Sequence, residues 1–298
     1  MIQSGAIVVD KPAGWTSHDV VGKMRRLAGE RSIGHLGTLD PMATGVLPLL
    51  VGNATRLARF FTTNEKRYDG VVRLGVTTDS YDREGAVTWT ADRVAIGREE
   101  LEAALDRFRG TFWQTPPPVS AKKVGGTPAY KLARQKIAFE LKPVEVTVFS
   151  IELREFDGAC ARLLVHCGGG TYIRSIAHDL GQALGCGAML ESLRRTSSGG
   201  FREAQARSLE ALQELAAARG MQQAVIPAAE LLPEIPAECV DAATEGQIRQ
   251  GRDFRVSPFR VRLSTQFVKA VGESGELVAI GEVKLPNVYH PILVLNHV

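Results

Sequence analysis

Gly34-His35-Leu36-Gly37-Thr38-Leu39-Asp40-Pro41-Met42-Ala43-Thr44-Gly45 is the stretch on which the reading of this 298-residue chain turns. It sets one carboxylate, Asp40, in a loop punctuated by glycine and proline. An imidazole, His35, lies five residues upstream, and the apolar run Val46-Leu47-Pro48-Leu49-Leu50-Val51 follows. Glycine permits positive φ and close backbone approach, and Pro41 keeps Asp40 out of α geometry. A turn or capping aspartate explains the tetrapeptide around Asp40 equally well. The whole string asks for more than that.

Around this loop the chain reads as α+β. Ala6 to Pro12 is a short buried strand ending in a turn, and Ser17 caps a helix with Val20, Val21, Met24 and Leu27 on one face. Ala54 to Phe61 reads as a short helix. Arg67 to Thr77 alternates as a strand, with Ala86 to Thr90 its partner across Asp82-Arg83-Glu84-Gly85. Glu99 to Arg109 is an amphipathic helix closed by Gly110. Val144 to Phe156 and Ala161 to Cys167 are long strands, and Ser175 to Leu184 and Leu209 to Arg219 are helices. Regular βαβ alternation is missing, which argues against a doubly wound fold. Three X-Pro pairs between Met221 and Pro236 read as a linker, followed by a small module with strands at Phe254 to Leu263, Gln266 to Val271 and Glu276 to Val283. The expected division is residues 1–225 and 226–298.

Bulk composition, 44% hydrophobic and 23% charged, is ordinary for a globular protein. No apolar stretch nears the roughly 18 residues of a membrane span. No membrane association is therefore expected; the N-terminus carries no basic segment followed by an apolar one, so no secretory signal is expected, and the cysteine usage suits a cytoplasmic location. Cys160, Cys167, Cys186 and Cys239 form no CxxC pair, and the six histidines form no HxxxH pair. No metal site and no disulfide framework are expected. The net charge of +3 is mild, but its distribution is uneven. Trp113 to Phe139 holds Lys122, Lys123, Lys131, Arg134 and Lys136 without one acid. Cys239 to Lys269 holds Arg249, Arg252, Arg255, Arg260, Arg262 and Lys269 against three acids. Two basic segments suit a partner that carries phosphates along its length, although charge alone fits two solvated faces as well.

Four more segments accompany the Asp40 string in fixed order: Lys11-Pro12-Ala13-Gly14-Trp15-Thr16-Ser17, then Lys66-Arg67-Tyr68 with Leu74 to Asp79, then Gly170 to Ser175 with Tyr172 and Arg174, and lastly Leu193-Arg194-Arg195. Together the five resemble the motifs of the TruB family of tRNA pseudouridine-55 synthases, over Ile7 to about Leu212. The resemblance implies a pseudouridine synthase fold, a mixed and mainly antiparallel sheet flanked by helices, with a PUA-like C-terminal module matched more weakly. It implies isomerisation of uridine to pseudouridine in the T-loop of tRNA. No atoms enter or leave in that reaction, so no cofactor is expected.

The resemblance gives Asp40 the role of essential carboxylate, Arg174 that of its cation partner through a bidentate pair, and Tyr68 that of stacking on the target base. It makes His35 the wedge that fills the space left by a flipped base. It makes Lys11 a support of the pocket or a phosphate contact, Leu193 an apolar wall and Tyr172 a neighbour of Arg174. The basic segment at about residues 114–142 resembles the thumb by which stand-alone bacterial enzymes grip tRNA. Lys122, Lys123 and Tyr130 are the expected contacts there, with no guide RNA and a monomer. Rival readings are an RNA-folding protein that acts mainly through contacts, and a synthase for another RNA. A glycosidase is weaker, because no second carboxylate carries a motif of its own.

Overall fold

The computed structural model describes residues 2–61, 65–120, 122–135, 137–257 and 265–295; the side chains of Tyr130, Ala133 and Arg134 also fall outside that description. A ten-stranded sheet organises the large part of the molecule. Its order is Ile226–Pro227, Gly5–Lys11, Thr44–Val51, Ala188–Ser198, Lys66–Leu74, Cys160–Cys167, Val144–Phe156 and Gly110–Gln114. Ile33–His35 and Phe201–Arg202 add at the side. All these pairings are antiparallel except one, where Ala188–Ser198 meets Thr44–Val51 with Arg194 opposite Thr44 and Arg195 opposite Gly45. The architecture is therefore α+β with a mixed, mainly antiparallel sheet, as the sequence suggested.

One face of the sheet carries the main core. Val20, Val21 and Met24 of helix Ser17–Ala28, Leu101 and Leu105 of Arg98–Leu105, Ile176 and Leu180 of Ile173–Ala183, and Leu212 of Leu209–Ala217 all pack there, with Ile7, Val9, Leu47 and Leu49 from the strands. The alternate residues Ala6, Val8, Val46 and Leu50 point the other way and meet Leu277, Ile280, Leu293 and Leu295 of the C-terminal unit. Burial on both faces explains why Gly5–Lys11 reads as an unbroken apolar run. The C-terminal unit is a five-stranded sheet ordered Ala237–Val240, Phe267–Gly272, Leu277–Leu285, Val288–Val294 and Phe254–Arg255, with helix Ala242–Arg249, a β-rich module consistent with a PUA-like domain.

Several local readings need correction. The cap of the first helix is Thr16, whose hydroxyl accepts from Asp19 N while the Asp19 carboxylate accepts from Thr16 N. Ser17 is the first helical residue, and its hydroxyl is spent elsewhere. The Arg67 to Thr77 strand is two strands, Lys66–Leu74 and Val76–Thr78, because Gly75 turns the chain at φ +82°. The stretch Met221 to Pro236 is no free linker. Ile226–Pro227 pairs with Gly5 and Ala6, and Leu231, Leu232 and Ile235 are buried. Most of the expected strand Phe254 to Leu263, with Arg260 and Arg262, lies outside the described residues, as does Lys136.

Candidate active site

Asp40 sits in a segment without regular structure, yet every carbonyl from Gly37 to Pro41 accepts a hydrogen bond. Arg195 donates Nη2 to Gly37 O at 3.2 Å and Nη1 to Thr38 O at 3.3 Å. Ser17 Oγ donates to Leu39 O at 3.2 Å and accepts from Leu39 N at 2.9 Å. Asp40 O accepts from Ala43 N, and Pro41 O accepts from both Gly14 N and Lys11 Nζ. Buried backbone acceptors must be satisfied, and here side chains replace secondary structure in doing so. The donors come from either end of the motif set. Lys11, Gly14 and Ser17 belong to the N-terminal motif and Arg195 to the last one.

Lys11 is fully buried, and its ammonium donates to Pro12 O, Trp15 O and Pro41 O at 2.9, 2.6 and 3.1 Å. Of the two roles the resemblance implied, support of the pocket and phosphate contact, the geometry fits only the first. Burial pushes the ammonium down to about 8, against a partial opposing pull from the Asp40 charge. Arg195 is also fully buried and donates Nε to Val46 O at 2.7 Å. Leu193, Arg194 and Arg195 alternate along their strand. Leu193 therefore faces the cavity and Arg195 the loop, while Arg194 pairs with Asp10 on the opposite side at 2.9 Å.

Asp40, Tyr68, Tyr172, Arg174 and Leu193 line one cavity of about 210 Å³, together with Thr38, Lys66, Ser120 and Thr171. Arg174 Nη2 donates to Asp40 Oδ1 at 2.7 Å. The expected bidentate pair is not formed. The other arm of the fork, Nη1, goes to Ser80 O at 3.0 Å and to Asp82 Oδ2 at 3.3 Å. Asp82 is itself buried and accepts from Ser80 Oγ at 2.6 Å and Glu84 N at 3.0 Å. One guanidinium thus serves two carboxylates. Asp40 stands deep among protein atoms but keeps 30% of its side-chain exposure, because it faces the cavity. That depth pushes its carboxyl above the ordinary range. Arg174 opposes the shift and Asp82 adds to it.

Tyr68 is buried, its hydroxyl bonded to Arg195, and burial pushes its phenol up to about 12. It stays a neutral hydroxyl at physiological pH. Tyr172 is fixed through its backbone. Gln114 Oε1 accepts from Tyr172 N at 2.8 Å, and Gln114 Nε2 donates to Tyr172 O at 3.0 Å. This pins the N-terminus of the helix that carries Arg174.

The remaining expected residues are elsewhere. His35 pairs with Leu49 in a short strand beside the loop, outside the cavity lining, and its buried Nδ1 has no partner. Lys122 and Lys123 are exposed, Lys123 within a two-stranded hairpin, and neither lines the cavity; the Tyr130 side chain lies outside the described residues. Of the second basic segment, Arg249 pairs with Glu245 at 2.7 Å, and Lys269 is buried, donating to Ala229 O and Leu231 O. Neither is free to meet a phosphate. Asp82, Gln114 and Lys66 carried no assigned role in the sequence. Asp82 reads in sequence as a turn residue, and Lys66 and Arg195 stand within motifs that assign them no function. Among the described residues no group of acids, histidines or cysteines has metal-binding geometry.

Comparison with known proteins bears directly on this site. The model of the TruB family pseudouridylate synthase N-terminal domain matches residues 25–173, and that of the tRNA pseudouridylate synthase B C-terminal domain matches residues 174–233. A protein of Solibacter usitatus called tRNA pseudouridine synthase B is 57% identical over 98% of this chain and 99% of its own length. One of the same name from Dechloromonas aromatica is 41% identical over 93% of this chain and 91% of its own. A crystal structure of a Cbf5-Nop10-Gar1 complex superposes with a TM-score of 0.70 at 25% identity, covering 96% of this chain and 80% of that one. These findings define an enzyme of the pseudouridine synthase class. The chain belongs to its TruB family.

Proposed function

We propose that this chain isomerises uridine to pseudouridine at position 55 in the T-loop of tRNA, with Asp40 as the essential residue. The relatives' shared name supports tRNA as the substrate. The observation that carries the role of Asp40 is its setting, a cavity-facing carboxylate 2.7 Å from a buried arginine on a loop with every carbonyl satisfied. A group so held needs little reorganisation at the moment of reaction.

The isomerisation breaks the bond from C1′ to N1 of the uracil and forms one from C1′ to C5. N1 gains a proton and C5 loses one, so the atoms balance without a cofactor. Asp40 begins it at the ribose, as nucleophile at C1′ or as base at a ribose proton. Arg174 keeps Asp40 ionised. Tyr68 stacks on the base and lies near the departing C5 proton. Leu193 walls the uracil, and Tyr172 holds the ring against Arg174. The base reaches this cavity by flipping out of the loop at a cost of a few kcal/mol, and His35 fills the gap it leaves. Lys122, Lys123 and Tyr130 on the thumb take the flanking RNA. The enzyme works as a cytoplasmic monomer without guide RNA. Residues 1–225 do the chemistry and residues 226–298 form the RNA-binding module.

The test is tritium release from a tRNA transcript carrying C5-tritiated uridine. Wild type should release label from one T-loop uridine, and Asp40→Asn should release none while still binding the RNA. Normal release by a pure Asp40→Asn preparation would overturn the assignment.

A further inference from the structure

A second concavity, of about 410 Å³, lies on the outer side of the Asp40 loop and is lined by Gly14, Trp15, His18, Asp19, Gly22 and Arg26. Three of its features bear on what it could hold. First, it carries an aromatic ring and two cation-forming side chains. Trp15 is half-buried against the core, and His18 and Arg26 are exposed. Second, the concavity exists because Gly22 leaves the helix face bare, and a Cβ built there meets nothing within 4 Å. Third, it adjoins the site. Gly14 N and Lys11 Nζ both donate to Pro41 O, and Lys11 Nζ also donates to Trp15 O. His18 lies near His35, whose pKa is lowered by burial first and then by Arg195, with His18 adding to the effect. Asp19, the one acid in the lining, turns Oδ2 towards Thr16 N and Thr16 Oγ and keeps its charge, so the two basic side chains have one carboxylate to outweigh.

We propose that this groove is an RNA subsite that takes the nucleotide next to the flipped uridine, with its base against Trp15 and its phosphate between His18 and Arg26. The inference rests on the proposed function, since it needs an RNA whose target base enters the Asp40 cavity. A base leaving a stacked loop uncovers the face of its neighbour. An indole supplies a replacement face, and base–aromatic stacking contributes about 1–3 kcal/mol. His18 and Arg26 stand two turns apart on the exposed face of helix Ser17–Ala28, where they can meet the backbone phosphate of a nucleotide whose base lies on Trp15.

The experiment uses a T-stem-loop RNA with 5-bromouridine placed in turn at the positions flanking the target, irradiated with the full-length enzyme. One flanking position should crosslink within the peptide that holds Trp15. In parallel, Gly22→Leu fills the groove on a helix that tolerates leucine better than glycine. It should raise KM about tenfold with a smaller change in kcat and no fall in Tm. His18→Ala with Arg26→Ala should do the same, and should also flatten the salt dependence of binding. A crosslink confined to other peptides, with unchanged KM in both variants, would overturn the subsite while leaving the synthase reading intact. RNA that crosslinks at Trp15 but releases no tritium would overturn the synthase reading and keep the subsite.

Discussion

Arg174 divides one guanidinium between Asp40 and Asp82, and Lys11 divides one ammonium among three carbonyls. Both arrangements make activity depend on protonation. The Asp40 carboxyl is raised, so the carboxylate that the proposed mechanism needs is lost, as pH falls, at a higher pH than an ordinary aspartate would require. Lys11 is lowered to about 8, so above that pH the ammonium becomes an amine with two donors for three acceptors. The rate at saturating RNA should therefore fall on both sides of neutrality, with its alkaline limb passing through about pH 8. A profile still level at pH 9.5 would remove Lys11 from the account. At this scale the sequence was informative where a motif named a residue. Asp40, Tyr68, Tyr172, Arg174 and Leu193 do line one cavity. Asp82 was hidden because a carboxylate before Arg-Glu-Gly reads as turn chemistry, and only the fold brings it to Arg174.

At the scale of elements, two strands near the middle of the sheet escaped the pattern. Thr44–Val51 contains Gly45 and Pro48, which argue against a strand. Ala188–Ser198 carries Glu191, Arg194 and Arg195, and its register slips between Leu190 and Ser192, so period-two alternation fails. Both irregularities belong to the site. Gly45 sits at φ +99° with the Arg195 backbone against it, and a Cβ there would lie 2.3 Å from Arg195 O. Only glycine allows the single parallel pairing of the large sheet, and that pairing delivers the Arg195 guanidinium to the Asp40 loop. Gly45→Ala should cost roughly 1–3 kcal/mol from backbone strain alone. It should also lower turnover more than it lowers RNA affinity, as urea melts and tritium release would show. An alanine variant with wild-type stability and rate would mean the strands separate without consequence.

For the whole molecule, the C-terminal unit is joined to the catalytic sheet by a core and by hydrogen bonds. Leu277, Ile280, Leu293 and Leu295 share one cluster with Val8, Leu50 and Leu57. Arg56 and Arg59 donate to Val294 O and Ile292 O. The proline-rich stretch suggested a tether in sequence because prolines punctuate loops. Its leucines and isoleucine are what bind it down, and they show no helical or strand period. Heating should therefore give one cooperative transition, and Leu293→Ala should lower the stability of the whole chain by about 2–5 kcal/mol. Two separated heat-absorption peaks would show that the units unfold independently. Among the described residues no helix is long and apolar enough to cross a membrane.

The clamp on the Asp40 loop has one further consequence, for a chain still being synthesised. Domains generally fold from the N-terminus as they emerge. Here the carboxylate leaves the ribosome early, but Arg174 and Arg195 follow it by 134 and 155 residues. Until both have emerged, Gly37 O and Thr38 O lack their arginine donor and Asp40 lacks its cation. A nascent or prematurely released chain therefore carries Asp40 without its partners, and under the proposed mechanism the ability to act on RNA arrives only with nearly the whole large sheet.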